Sequence, residues 1–214
     1  MKYEIGPQKP ENLTEEWPGQ FDFFSHFEYL TGIPHTLFLI TTRKANGKTN
    51  ACFHTWSCFS GDSGGFFAIM PGLMQHTHTY ENILRDKEFC VNFISPAYYD
   101  ACVKTIEHNT EEIDELENAG FTGEAASAVH APRIKEAFLT FECRLESATD
   151  LSGKGLNAMI IGKVVHAALD SRHRDIAAVC SDDSFMFYIH TPTDFKTGQP
   201  TRNAIAKLQA IREE

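Results

Sequence analysis

The sequence predicts a mainly β fold, a barrel of short strands with a few helices attached. Short runs rich in β-branched and apolar residues recur along the chain, bounded by Gly, Pro, Asn or Asp. Helical periodicity is confined to a few places. Strands and helices also do not alternate as a doubly wound parallel sheet requires. The motifs of that class are missing too, since no GxGxxG, GxxxxGKS/T or GxSxG occurs.

The elements follow in order. Residues 1–20 are polar with several prolines and read as an N-terminal arm. Asp22–Leu30 suits a short helix. His35–Arg43 reads as a strand, Asn46-Gly47 as a tight hairpin turn, and Thr49–Ser57 as the returning strand. Gly64 and Gly65 precede a further apolar strand, Phe66–Met70. A helix is expected over Thr79–Asp86, with Thr77 or His78 near its cap. Glu88–Ser95 is a strand stopped by Pro96. Residues 97–118 carry a helical pattern ending in an acidic run, Glu111 to Glu115, and residues 120–131 read as loop. Phe138–Ser147 and Ala158–Leu169 are strands on either side of the turn at Gly153 and Gly155. Phe185–His190 is a last strand, and Ala204–Ile211 is expected as a C-terminal helix. The organisation is therefore an arm over 1–20, one barrel domain over 21–200 and a helix within 201–214.

Of the 214 residues, 42% are hydrophobic, enough for a real core. The net charge of -10 argues against nucleic acid as a partner, because non-specific binding needs clustered Lys and Arg. An anionic cofactor remains compatible with it, since local donors can hold a phosphate in an acidic protein. No apolar run approaches the roughly 18–20 residues of a membrane span. The N-terminus lacks the basic-then-apolar pattern of a signal peptide, so a cytoplasmic location is expected. The six scattered cysteines are then free thiols, several of them acting as small hydrophobes. Cys52 and Cys58 match no redox spacing and read as core thiols. His76 and His78 form an HxH pair that no third ligand completes, so no metal is expected.

Two segments concentrate chemistry. Asn50–Ser57 mixes an amide, hydroxyls, an imidazole and an indole directly after the hairpin turn. Such a strand suits the edge of a ligand, with donors for heteroatoms and a flat apolar face. His76–Asn82 puts hydroxyls at a helix start, where free backbone N–H groups favour anions; ordinary N-capping explains the same residues.

Together these segments resemble the flavin reductase-like family of FMN-binding split barrels, flavoredoxin-like members included. The likeness runs from about His35 to Asp170. It rests on Thr41-Thr42, the Asn46-Gly47 turn, Asn50 with Thr55-Trp56 and the Thr79–Ile83 helix start. It continues through Phe89-Cys-Val-Asn92, Ala131-Pro-Arg-Ile134, Phe141-Glu-Cys143 and Gly162-Lys-Val-Val165. The resemblance implies a split β-barrel of Greek-key type and a homodimer with FMN in a groove near the subunit interface. NADH or NADPH would be the electron donor. It further implies that Asn50, Ala51, Thr55, Trp56 and Ser57 line the isoalloxazine and ribityl chain. Thr77, His78, Thr79 and Asn82 would serve the ribityl and phosphate end. His54 and His166 are candidates for tuning protonation near the reacting edge; both also suit a hydrogen-bonded barrel histidine.

The chain departs from the family at the phosphate end. Thr77 stands where an Arg often precedes the helix, and Asn109–Glu115 is acidic where members carry basic residues. Three readings follow. The chain is an NAD(P)H-dependent flavin oxidoreductase, a non-enzymatic flavin carrier or store that docks on a redox partner protein, or a split barrel without flavin.

Overall fold

The computed structural model describes residues 2–190, 193–194, 196–199, 201–202 and 204–209. Two compact units emerge. One draws on residues up to His35 together with Phe187–Ala206, and the other contains Thr36–Met186.

In the first unit, two short helices, α1 (Gln20–Phe23) and α2 (His26–Thr31), replace the single helix expected from Asp22. Ser25 breaks the run by capping α2, its hydroxyl accepting from the Phe27 N–H, and Gly32 ends α2 in the left-handed region. Tyr29 gathers Phe21, Phe24 and His190 edge-on around its ring. Burial and nearby His35 hold the His190 imidazole down at about 4, so it stays neutral near pH 7.

Strand β1 (Pro34–Thr36) leads into β2 (Phe38–Arg43), and the Asn46-Gly47 turn returns the chain as β3 (Thr49–His54). Gly47 supplies the positive φ, 84°, that the turn requires. The expected strand to Ser57 stops three residues short. A strand not foreseen, β4 (Cys58–Asp62), forms a hairpin with β5 (Gly65–Met74). Helix α3 (His78–Asp86) is capped by Thr77 and ends at Lys87 in the left-handed region. Next come β6 (Glu88–Phe93), α4 (Tyr99–Lys104) and α5 (Glu115–Ala119). The short pair β7 (Gly123–Glu124) and β8 (Arg133–Ile134) follows, then β9 (Leu139–Asp150) and β10 (Asn157–Leu169). The chain closes with α6 (Ile176–Val179), β11 (Met186–Ile189) and β12 (Ala204–Lys207). Ala204–Lys207 is thus strand, not the start of the expected C-terminal helix: it extends the small sheet ordered β1-β11-β12. Residues 210 and 211 of that expected helix lie outside the described residues.

Seven strands form the main sheet in the order β3-β2-β6-β9-β10-β5-β4, every pair antiparallel. Its two edge strands, β3 and β4, are consecutive in the chain and joined only by Thr55, Trp56 and Ser57. Four Cα steps reach at most about 14 Å. The sheet must therefore curl until its edges nearly meet, without pairing. This is an open, split barrel, and the seam is the Thr55–Ser57 link.

Alternate residues fill the barrel: Phe38 and Ile40, Ala68 and Met70, Phe89, Val91 and Phe93, Cys143 and Ile160. The opposite faces of β2 and β6 are buried as well, because residues 126–134 fold over them. Cys90 packs with Val129 and Ala131 there. Asn92 is fully enclosed and satisfied. Its amide donates to the Leu39 carbonyl (3.2 Å) and Thr41 Oγ1 (3.0 Å) and accepts from the Ile134 N–H and Thr140 Oγ1 (3.0 Å each). One side chain thereby pins β2, β6, β8 and β9 together. Buried polar groups satisfied in this way fix register, whereas leaving any one of them unpaired would cost about 1–3 kcal/mol.

Gly162 lies on β10 where the Phe89 ring crosses the barrel, and a Cβ there would collide with the ring and with Cys143 Cβ. Gly162→Ala should lower the unfolding free energy by roughly 1–3 kcal/mol through overpacking. The signature is a lower denaturant midpoint at unchanged slope; an unmoved midpoint would mean that the ring yields without strain.

Candidate functional site

The seam strand β3 forms one wall of a cavity of about 300 Å³, at the lower end of the range for small-molecule sites. Asn50 to His54 and Trp56 come from the β3 side, Gly72 to Met74 from β5, and Thr77 and Thr79 from the start of α3. Thr105, Ile106, Asn109 and Glu115 complete the lining. Hairpin, helix start and acidic segment, far apart in the chain, meet around one space.

Asn50 is buried and donates from Nδ2 to Thr79 Oγ1 at 2.8 Å, joining β3 to α3 at the cavity wall. Thr77 caps α3 and donates its own hydroxyl to the Met74 carbonyl at 2.8 Å. Both lie where the sequence placed a ligand, and N-capping is part of what Thr77 does. Trp56 lies against Gly72, which has φ 78° and where a Cβ would stand 3.3 Å from the indole. His54 Nε2 donates to the Trp56 carbonyl (3.2 Å), and its ring meets the indole edge-on. Thr55 is buried, and its hydroxyl has no hydrogen-bond partner among the described residues. A buried hydroxyl left unpaired costs free energy, but Thr55 does not line the cavity.

Other expected residues stand back from the cavity. Ser57 hydrogen-bonds the Thr55 carbonyl. Asn82 is buried as a brace, donating to Thr42 Oγ1 at 3.0 Å and accepting from Arg85 at 2.9 Å. His78 faces the acidic segment, with Nδ1 2.9 Å from Asn109 Oδ1 and Nε2 3.7 Å from Glu111. His166 is exposed on β10, opposite Glu142 in register, and does not line the cavity.

The acidic segment is laced to the β2–β3 hairpin. Lys44, fully buried, donates to the carbonyls of Thr110 (2.6 Å) and Ile113 (2.8 Å). Its ammonium also meets Glu115 Oε1 at 2.9 Å as an ion contact off the hydrogen-bond line. The other Glu115 oxygen accepts from the Ala51 N–H at 2.6 Å. Asp114 caps α5 and accepts from the Thr49 N–H at 2.8 Å, while Asn46 and Lys48 bind the carbonyls of Glu111 and Glu112. Burial pushes the Glu115 carboxyl up from its usual range; the Lys44 contact and the Ala51 N–H oppose the shift. Sequence reading missed Lys44, Thr105 and Glu115 as site residues. The one local signal was the acidic run Glu111 to Glu115 at the end of the helical pattern over 97–118, which also suits a solvated loop.

Cys52 lines the cavity, and burial pushes its thiol up to about 11, with Thr79 opposing and Glu115 adding to the shift. It stays protonated at neutral pH and is a poor nucleophile. Cys58, expected in the core, is exposed on the edge strand β4. Among the described residues no group of three or more His, Cys, Asp or Glu could hold a metal ion, and no helix is long and apolar enough to cross a membrane.

Residues 30–188 match the family model described as flavin reductase like domain. The chain belongs to that family. Its fold is shared with a Shewanella frigidimarina protein with a split barrel domain (TM-score 0.71, 19% identity, 89% of this chain and 90% of that one). It is shared equally with nitrilotriacetate monooxygenase component B from Bacillus cereus (TM-score 0.75, 18% identity, 100% of both chains). A protein of Aquifex aeolicus is 45% identical over 67 residues, 31% of this chain and 34% of that protein, so the match spans about a third of the relative. The family is a flavin-binding one, and the cavity suits a flavin's ring and side chain: a flat indole and a polar end built from Asn50, Thr77, Thr79 and Asn109.

Lys44→Met would strand Glu115 inside the protein. It should cost roughly 3–5 kcal/mol, with part recovered in Lys44→Met/Glu115→Gln. Thermal unfolding of both variants checks this; equal losses would show that the pair does not act as a unit.

Proposed function

We propose that the chain is a flavin oxidoreductase that uses NADH or NADPH to reduce a flavin, FMN in the first instance, held at the β3–β4 seam. The observation that carries this reading is the meeting of Trp56 and the Asn50–Thr79 pair around one cavity in a flavin reductase like domain. When bound, the flavin supplies acceptance of a hydride and its release as electrons.

The chain's own part is to bind and orient. Trp56 presents a flat apolar face, held in place by Gly72 and by His54 at its carbonyl. Thr77, Thr79 and Asn109 offer partners to ribityl hydroxyls. Leu73, Met74 and Phe53 exclude water from the apolar side.

The proposal includes a homodimer. Ile106, at the cavity, is 53% exposed, and Val165 and Leu169 add apolar surface on β10, all of which a second copy would cover. The net charge of -10 and the likeness to a monooxygenase component B support transfer of reducing equivalents to a partner protein with a basic docking face.

Anaerobic NADH or NADPH oxidation with added FMN tests the activity: flavin-dependent turnover is expected, and none with either nicotinamide would remove the enzyme reading. Trp56→Ala should weaken flavin binding about tenfold, from loss of an aromatic face worth ~1 kcal/mol or more. Unchanged affinity would place Trp56 in the fold alone.

A further inference from the structure

Resting on the flavin reading, we infer that the site recognises the ring and ribityl chain and is indifferent to the terminal phosphate, so that riboflavin and FMN bind with comparable affinity. The charges at the polar end carry the inference. Among the described residues lining the cavity there is no Lys or Arg, and the one carboxylate is Glu115.

The nearest buried cation, Lys44, is already spent. It is enclosed by Glu115 and by the Thr110 and Ile113 carbonyls, and its side chain has no exposed surface. A phosphate could recruit it only by displacing Glu115, which would leave that carboxylate buried and uncompensated. Other cations nearby are engaged as well. Arg85 pairs with Asp86 (2.6 Å) and donates to Asn82, Lys48 donates to the Glu112 carbonyl, and Arg43 donates to the Gly47 carbonyl. His78 faces Asn109 and Glu111, so even a protonated ring there meets a carboxylate first.

The positive end of α3 remains. Its partial charge is modest, and Glu81 in its first turn opposes it. Neutral donors and acceptors, by contrast, are plentiful at this end: Asn50, Thr77, Thr79, Thr105 and Asn109. That set matches the hydroxyls of a ribityl chain and gives a dianion no net Coulombic gain.

Binding titrations of the full chain with lumiflavin, riboflavin and FMN, followed by quenching of flavin fluorescence at low and high salt, test this. Riboflavin and FMN should agree within about fivefold at either salt, with lumiflavin at least about tenfold weaker for want of ribityl hydroxyls. FMN tighter by more than that fivefold margin, with an advantage that salt erodes, would overturn the inference by revealing a charged phosphate site. Lumiflavin as tight as riboflavin would overturn its ribityl half. Quenching by none of the three would instead remove the flavin reading itself, a distinguishable outcome.

Discussion

The shape of this protein follows from a link of three residues. Thr55, Trp56 and Ser57 carry the chain from one edge of a seven-stranded sheet to the other. A sheet of that width, left to its ordinary twist, would hold its edges far apart. Joined so briefly, the edges must approach, and the sheet has to enclose its aromatic core. The same link places an indole and two hydroxyls at the seam, beside the imidazole of His54 at the end of β3. The constraint that makes the barrel is therefore also the one that builds the cavity wall.

Two polar braces hold the outside of that barrel. Asn92 binds four partners on three other strands, so the faces of β2 and β6 that turn away from the core are covered rather than solvated. Lys44 and Glu115 do a related job at the cavity, drawing the acidic segment onto the hairpin. A buried ion pair adds little net stability over an apolar pair of the same shape. What it gives here is position, because both partners also bind backbone groups on the opposite element.

Much of this was legible in the sequence. The Asn46-Gly47 turn, the alternation through β9, the long apolar run of β10 and the Thr77 cap each express a local rule. Other features escaped for physical reasons. Strand β4 is a five-residue edge, mostly exposed, and carries no apolar signal. Residues 120–131 look like loop by composition, yet Ala126, Val129 and Ala131 pack on Cys90 of β6, since backbone without regular structure can still bury side chains. At the site, Asn50, Trp56, Thr77 and Thr79 gather as their local sequence suggested. Asn82 and His78 turn instead to the braces around the cavity, and Glu115 enters it. Which carboxylate of an acidic run turns inward depends on a lysine some seventy residues earlier, Lys44, and no local pattern records that pairing.

The seam has a further mechanical meaning. Strand β3 is paired only with β2, and β4 only with β5. Each edge belongs to a hairpin that is complete without the other, so parting them breaks no ladder hydrogen bond. Openings of this kind sit at the low end of a protein's free-energy scale, well below global unfolding. A rigid planar molecule lodged there would have a doorway that swings on two intact hairpins, and its residence time would follow how often that doorway opens rather than the stability of the fold around it.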